Sequence, residues 1–118
     1  MTITLNAKAY NYDAAIDSNA NQMTGPSHSV AEKDILALRR EQNKANGTRP
    51  ATTRVRSKFT RTLTNAVTGE KFDSISEHYV LVPTWATQAQ VDSLRDDHGD
   101  LLVSTNGADL YWKLDIYQ

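Results

Sequence analysis

The sequence contains no cysteine, which excludes disulfides and thiolate metal sites and fits a reducing compartment. No apolar run reaches the roughly 18 residues a membrane-spanning helix needs, so no membrane partner is expected. The opening residues, MTITLNAKAYNYDAA, lack the apolar core of a signal peptide and alternate instead, so no leader is expected. No internal repeat is visible. There is no Ser/His/Asp set, no Gly-rich phosphate loop and no paired-carboxylate site, and His28, His78 and His98 stand far apart without ligand spacing. An enzyme, a metal centre and a bound cofactor are therefore not expected. Asp96, Asp97 and Asp100 read as an exposed helix face rather than a cation site.

What is present is an uneven charge. The total of −1 over 118 residues hides nine basic residues against two acids between Lys33 and Arg61, a net +7 that leaves −8 for the rest. The later acids are Asp92, Asp96, Asp97, Asp100, Asp109 and Asp115. Such polarity within one small domain suggests one surface facing an anionic polymer and another facing solvent or protein.

The basic segment centres on Thr52 to Asn65, TTRVRSKFTRTLTN, which has the β-branched and aromatic content of a strand and neither Gly nor Pro. Alternation puts Thr52, Arg54, Arg56, Lys58, Thr60 and Thr62 on one face, and Thr53, Val55, Ser57, Phe59, Arg61 and Leu63 on the other. Same-face neighbours lie roughly 6.6 Å apart, close to the phosphate spacing of a nucleic-acid strand.

In chain order, Thr2 to Asn6 and Lys8 to Tyr12 alternate around a tight turn and predict a hairpin. Asp13 to Ser29, rich in Asp, Ser and Asn and broken by Gly25-Pro26, predicts a surface excursion outside the core. Val30 to Asn43 suits helix or strand by pattern; the Asn46-Gly47 and Pro50 turn that follows favours a strand. Asn65 to Gly69 turns the chain into an extended run from Glu70 to Val82, completing an antiparallel meander. Pairing Leu63 with Phe72 would set Lys58 opposite Glu77, Arg56 opposite Tyr79 and Arg54 opposite Leu81. After Pro83, Thr87-x-x-Gln90 is a capping box, and Val91, Leu94, His98, Leu101 and Leu102 recur at helical spacing, predicting a helix from about Gln88 to Val103 with an acidic outer face. Asn106-Gly107 is expected to end it, before an apolar tail from Ala108 to Tyr117. A lone amphipathic helix and an aromatic tail on a small sheet point to a partner subunit, with Val91, Leu94, His98, Leu101, Leu102 and Trp112 as the candidate dimer interface.

This order of elements, together with Val82-Pro83-Thr84-Trp85-Ala86-Thr87 at the sheet-to-helix junction, resembles the coat proteins of the single-stranded RNA bacteriophages, the leviviruses and their relatives. Val30-Ala31-Glu32 and the ending Ile116-Tyr117 are similar to stretches of some members. The resemblance implies one α+β domain over 1–118: an N-terminal β-hairpin and antiparallel β-meander (1–83), then one or two C-terminal α-helices (87–118), the sheet extended across an intertwined homodimer. It further implies an icosahedral shell, a virion location after assembly in the bacterial cytoplasm, and an inward sheet face that packages single-stranded RNA and binds an RNA hairpin as translational repressor. Aligned at Pro83, the inward positions of the last strand are Ile75, Glu77 and Tyr79, the face on which pairing placed Arg56, Lys58 and Thr60. Some relatives carry an aromatic and an amide where this chain has Ile75 and Glu77, and a longer loop at Asn65 to Gly69.

The RNA-binding candidates are thus Arg54, Arg56, Lys58, Thr60, Thr62, Glu77 and Tyr79. Arg39, Arg40 and Lys44 join them, although pattern does not settle which face they occupy. From the residues alone, a solvated strand face is an equal reading of the row. A non-viral dimeric module that binds single-stranded nucleic acid is the rival function.

Overall fold

The computed structural model describes residues 1–114. The chain divides into two compact units, Met1–Leu81 and the segment from Val82 onward. The first is built on a six-stranded sheet whose spatial order follows the sequence: β1 (Thr2–Leu5), β2 (Lys8–Asp17), β3 (Ala20–Thr24), β4 (Asp34–Asn43), β5 (Thr52–Thr64) and β6 (Lys71–Pro83).

The opening hairpin forms as expected, with Leu5 paired to Lys8 across Asn6 and Ala7. Both turn residues hold positive φ, 50° and 60°, the type I′ geometry whose twist matches the flanking strands. Asn tolerates that region, but Ala does so at a cost of about 1 kcal/mol. Ala7→Gly is therefore expected to stabilise the protein by about 0.5–1 kcal/mol, read as a higher urea midpoint with unchanged slope.

The segment from Asp13 to Ser29 departs from expectation. It is not a surface excursion: β2 runs on to Asp17, Ser18 and Asn19 turn the chain, and β3 returns between β2 and β4. Asn19 N–H donates to Asp17 Oδ1 at 2.7 Å, so the polar residues there make only a two-residue tip, while Gly25 to Ser29 lies outside the strands as the Gly25-Pro26 break predicts. Two register shifts in β2, between Tyr12 and Ala14 and between Ala15 and Asp17, break the alternation that marks a strand. Ala20 and Met23 of this segment are buried.

Val30 to Asn43 is a strand from Asp34 on, and β4 pairs with β5 along its whole length, from Asp34 opposite Arg61 to Asn43 opposite Thr52. Asn46 bridges Arg49 in the connecting turn, with Gly47 at φ +60°. At the next turn Asn65 Oδ1 accepts from Val67 and Thr68 N–H, and Gly69 adopts φ +75°. Two bonds fall on the expected register: Asn65 N–H to Glu70 O at 2.7 Å, closing the turn, and Thr62 Oγ1 to Asp73 Oδ1 at 2.8 Å, between β5 and β6.

The core lies on one face of the sheet. Tyr10, Met23 and Leu36 are fully buried there, Ile3, Leu38 and Phe59 pack against them, and the Tyr10 and Phe59 rings meet edge to face at 5.6 Å. Arg61 shares this face: its Nε donates to Asp34 Oδ1 at 3.3 Å and its Nη2 to the Tyr10 hydroxyl. Asp34 is buried, and its other oxygen accepts from Ser27 N–H at 3.2 Å. One network thus ties β2, β4, β5 and the turn after Gly25 together. Gly25 is needed for close approach, because a Cβ there would overlap Asp34 and the Tyr10 ring.

In the second unit, Thr87 caps α1 (Gln88–Val103) as expected: its hydroxyl accepts from Gln90 N–H and its N–H donates back to the Gln90 side chain. Asn106-Gly107 does not end a helix. Ser104 closes α1 and caps α2 (Thr105–Lys113), so Asn106 and Gly107 form the first turn of α2. Gly107 is buried, and a Cβ there would overlap the Leu101 carbonyl oxygen, so glycine permits the tight corner between the two helices. Of the apolar tail, Ala108 to Lys113 is helical; Asp115, Ile116 and Tyr117 lie outside the described residues.

Candidate nucleic-acid interface

Strand alternation sets the site. Arg54, Arg56, Lys58, Thr60 and Thr62 stand on β5 opposite in sense to Val55, Phe59 and Arg61, so the cationic row occupies the face away from the core. The β4 register adds Arg39, directly opposite Arg56, and Glu41, directly opposite Arg54. Arg40 pairs with Val55 and therefore leaves the row for the core-side face, where its Nε donates to Asn19 Oδ1 at 3.3 Å. Lys44 follows the end of β4, in the turn. Of the three additional cations, only Arg39 is thus a strand member of the row.

The side-chain contacts across to β6 differ from those expected. The guanidinium above the Tyr79 ring is that of Arg54, at 5.4 Å, not that of Arg56. Diagonal neighbours lie within reach of long side chains, and both Arg54 and Arg56 also lie near Glu41 on β4. Nor does Lys58 meet Glu77: among the described residues no ion pair joins them.

The row is interleaved with carboxylates that sequence reasoning missed. Asp17 pairs with Arg39 at 3.2 Å, Glu41 lies 3.8 Å from Arg54 and 3.9 Å from Arg56, and Asp73 pairs with Lys33 at 3.0 Å. Asp17 and Glu41 could be found only from the β2–β3–β4–β5 registers. Asp73 also accepts from the Thr62 hydroxyl, which with Lys33 holds its carboxyl below the usual carboxylate range. A lowered carboxyl stabilises the fold above its unfolded value and loses that contribution as pH falls through the folded one. Asp73→Asn is accordingly expected to lessen the loss of stability below about pH 4, checked by acid titration of unfolding beside the carboxyl resonance in NMR.

The helical candidates are exposed. Leu94, Leu101, Leu102 and Trp112 all face solvent, and α1 buries none of its residues. Its charged side is laced by Arg95 with Asp92 and Asp96. Among the described residues no group of three or more His, Asp or Glu could hold a metal ion, and no helix is long and apolar enough to cross a membrane.

No family model and no curated protein sequence matches this chain. Its architecture does match solved structures. Against the virus-like particle of Beihai levi-like virus 32 the TM-score is 0.80 at 15% identity, over 97% of this chain and 92% of that one. The chain has the fold of levi-like virus particle subunits. The virus-like particle of bacteriophage ESE058 matches with a TM-score of 0.74 at 15% identity over 100% and 96% of the two chains, and that of Wenzhou levi-like virus 4 with 0.77 at 15% over 95% and 80%. The likeness read from the Val82–Thr87 junction and the order of elements is thereby borne out for the fold. In this levi-like architecture the row of β5 sits on the fourth and fifth members of the meander, two strands inside the β1–β2 hairpin.

Proposed function

We propose that this chain is the coat protein of a levi-like RNA virus: it dimerises, closes into an icosahedral shell and packages single-stranded RNA on the face carrying Arg54, Arg56 and Lys58. The observation that carries the reading is segregation. One sheet face holds the Tyr10–Met23–Leu36 core, while the opposite face presents Arg39, Arg54, Arg56 and Lys58 with the hydroxyls of Thr60 and Thr62. A row of cations on a sheet face turned away from the core suits a polyanion. Tyr79 supplies a ring for base stacking beside Arg54, and Glu77 a group that shapes which hairpin fits.

Dimerisation follows from what the chain leaves exposed. Leu94, Leu101, Leu102 and Trp112 are apolar and solvent-facing, as are Val55, Leu63 and Phe72 on the core side of the sheet. A hollow of about 430 Å³ lined by Tyr10, Phe59 and Leu63 deepens that side. A twin subunit laying Val91, Leu94, His98, Leu101, Leu102 and Trp112 there would cover both apolar surfaces, with β6, last in the sheet, pairing across the two-fold. Assembly would take place in the bacterial cytoplasm and end in the virion.

Expression in bacteria followed by size-exclusion chromatography tests this directly. Megadalton particles with nucleic-acid absorbance are expected. A species near two chains that binds RNA would instead favour a discrete single-strand-binding module.

A further inference from the structure

The two arginines at the centre of the row share one carboxylate. Glu41 presents Oε2 to Arg54 Nη1 at 3.8 Å and Oε1 to Arg56 Nη2 at 3.9 Å, one oxygen to each guanidinium. A charge-assisted hydrogen bond closes to about 2.7–2.9 Å, so Glu41 lends its charge without occupying either donor. The contrast with neighbouring pairs is plain: Asp17 closes on Arg39 at 3.2 Å and Asp73 on Lys33 at 3.0 Å. Arg54 Nε, for its part, is buried without an acceptor. Arg56 also stands directly opposite Arg39, a like-charge juxtaposition that only a nearby anion relieves.

We propose that Glu41 is a built-in competitor for RNA phosphate: it holds the place between Arg54 and Arg56 that a phosphate would take, and so sets the affinity of the row below its full value. This rests on reading the row as an RNA-binding surface. The three side chains are 36%, 28% and 35% exposed for Glu41, Arg54 and Arg56, so a polyanion reaches them from solvent. Exposed ion pairs of this length are worth at most about 1 kcal/mol, so the carboxylate is displaced at little cost. Once displaced, it remains a negative charge beside the bound strand. Lys58 has no such partner among the described residues and meets phosphate uncontested. A subunit tuned in this way holds its RNA strongly through many copies yet weakly through each, since modest single-site affinity multiplies across a shell.

The test compares the chain with Glu41→Gln, which keeps the shape and removes the charge, both as subunits dissociated from particles and freed of nucleic acid, by fluorescence anisotropy with a labelled oligouridylate at several salt concentrations. Glu41→Gln is expected to bind roughly 3- to 10-fold tighter at about 0.1 M salt. Its log–log salt slope should steepen by about 0.7, the signature of one more neutralised phosphate. Equal or weaker binding by Glu41→Gln, with a wild-type chain that does bind, would overturn the competitor role and make Glu41 a support that positions the arginines. A wild-type chain that binds no oligouridylate at any salt would overturn the RNA-binding reading and this inference with it. Glu41→Thr, a good strand former, carries the same expectation and serves if the glutamine variant does not fold.

Discussion

Replacing Arg54, Arg56 and Lys58 together by alanine is expected to yield particles that assemble but carry far less RNA. All three side chains stand on the face opposite the Tyr10–Met23–Leu36 core, so their truncation leaves that core untouched. Taking about 1 kcal/mol for each exposed contact between a cation and a phosphate, three contacts amount to about 3 kcal/mol, or roughly 100-fold in affinity. The salt dependence is the sharper readout. Losing three phosphate contacts on a single strand should reduce the log–log slope by about 2, whereas a variant that merely misfolds would lose binding at every salt concentration alike. The ratio of nucleic-acid to protein absorbance in purified particles measures the first effect, and a salt series the second. Unchanged RNA content in the triple variant would sink the assignment of this face.

Arg61→Ala is expected to cost about 3 kcal/mol of stability, more than any other single change considered for the sheet. The loss is not that of the arginine's own contacts, since Arg61 is 43% exposed. It comes from Asp34, 3% exposed, which would keep only the Ser27 N–H as a hydrogen-bond donor to its carboxylate. A buried charge deprived of its partner is far costlier than a pair removed whole. The double variant Arg61→Ala, Asp34→Asn should therefore be more stable than Arg61→Ala alone, a non-additivity that urea unfolding at fixed protein concentration would reveal. The Tyr10 hydroxyl also loses its partner, and because Tyr10 anchors the core the effect should appear as a lower midpoint for the whole sheet.

These two arginine groups, the Arg54–Arg56 pair and Arg61, lie within eight residues on one strand and serve opposite faces. That division was legible in the sequence because strand alternation is local: period two sends Arg61 to the side of Phe59 and Arg54 to the side of Lys58. The Thr87–Gln90 capping box, the turn at Asn65 to Gly69 and the start of β6 were legible for the same reason. Features that depend on register were not. Glu41 meets Arg54 only because the turn between β4 and β5 has a particular length, and Arg61 finds Tyr10 across 51 positions of sequence. The β3 strand was hidden by the register shifts in β2 and by the Asp, Ser and Asn at its turn. Asn106-Gly107 reads as a helix stop by residue type, yet close packing against Leu101, not a left-handed backbone, is what requires glycine at position 107. Arg40 was grouped with Arg39 by adjacency, which on a strand is the surest way to be on different sides.

The two rims of the sheet are unequal: four residues in β1 against thirteen in β6. Backbone pairing needs length, so a neighbour can add along the β6 rim but finds scant purchase at β1. Such a ribbon cannot grow without limit. Were it joined through its long rim to an identical copy, as proposed, it would present only two short ends, and extension would stop at the pair instead of running on into a fibre.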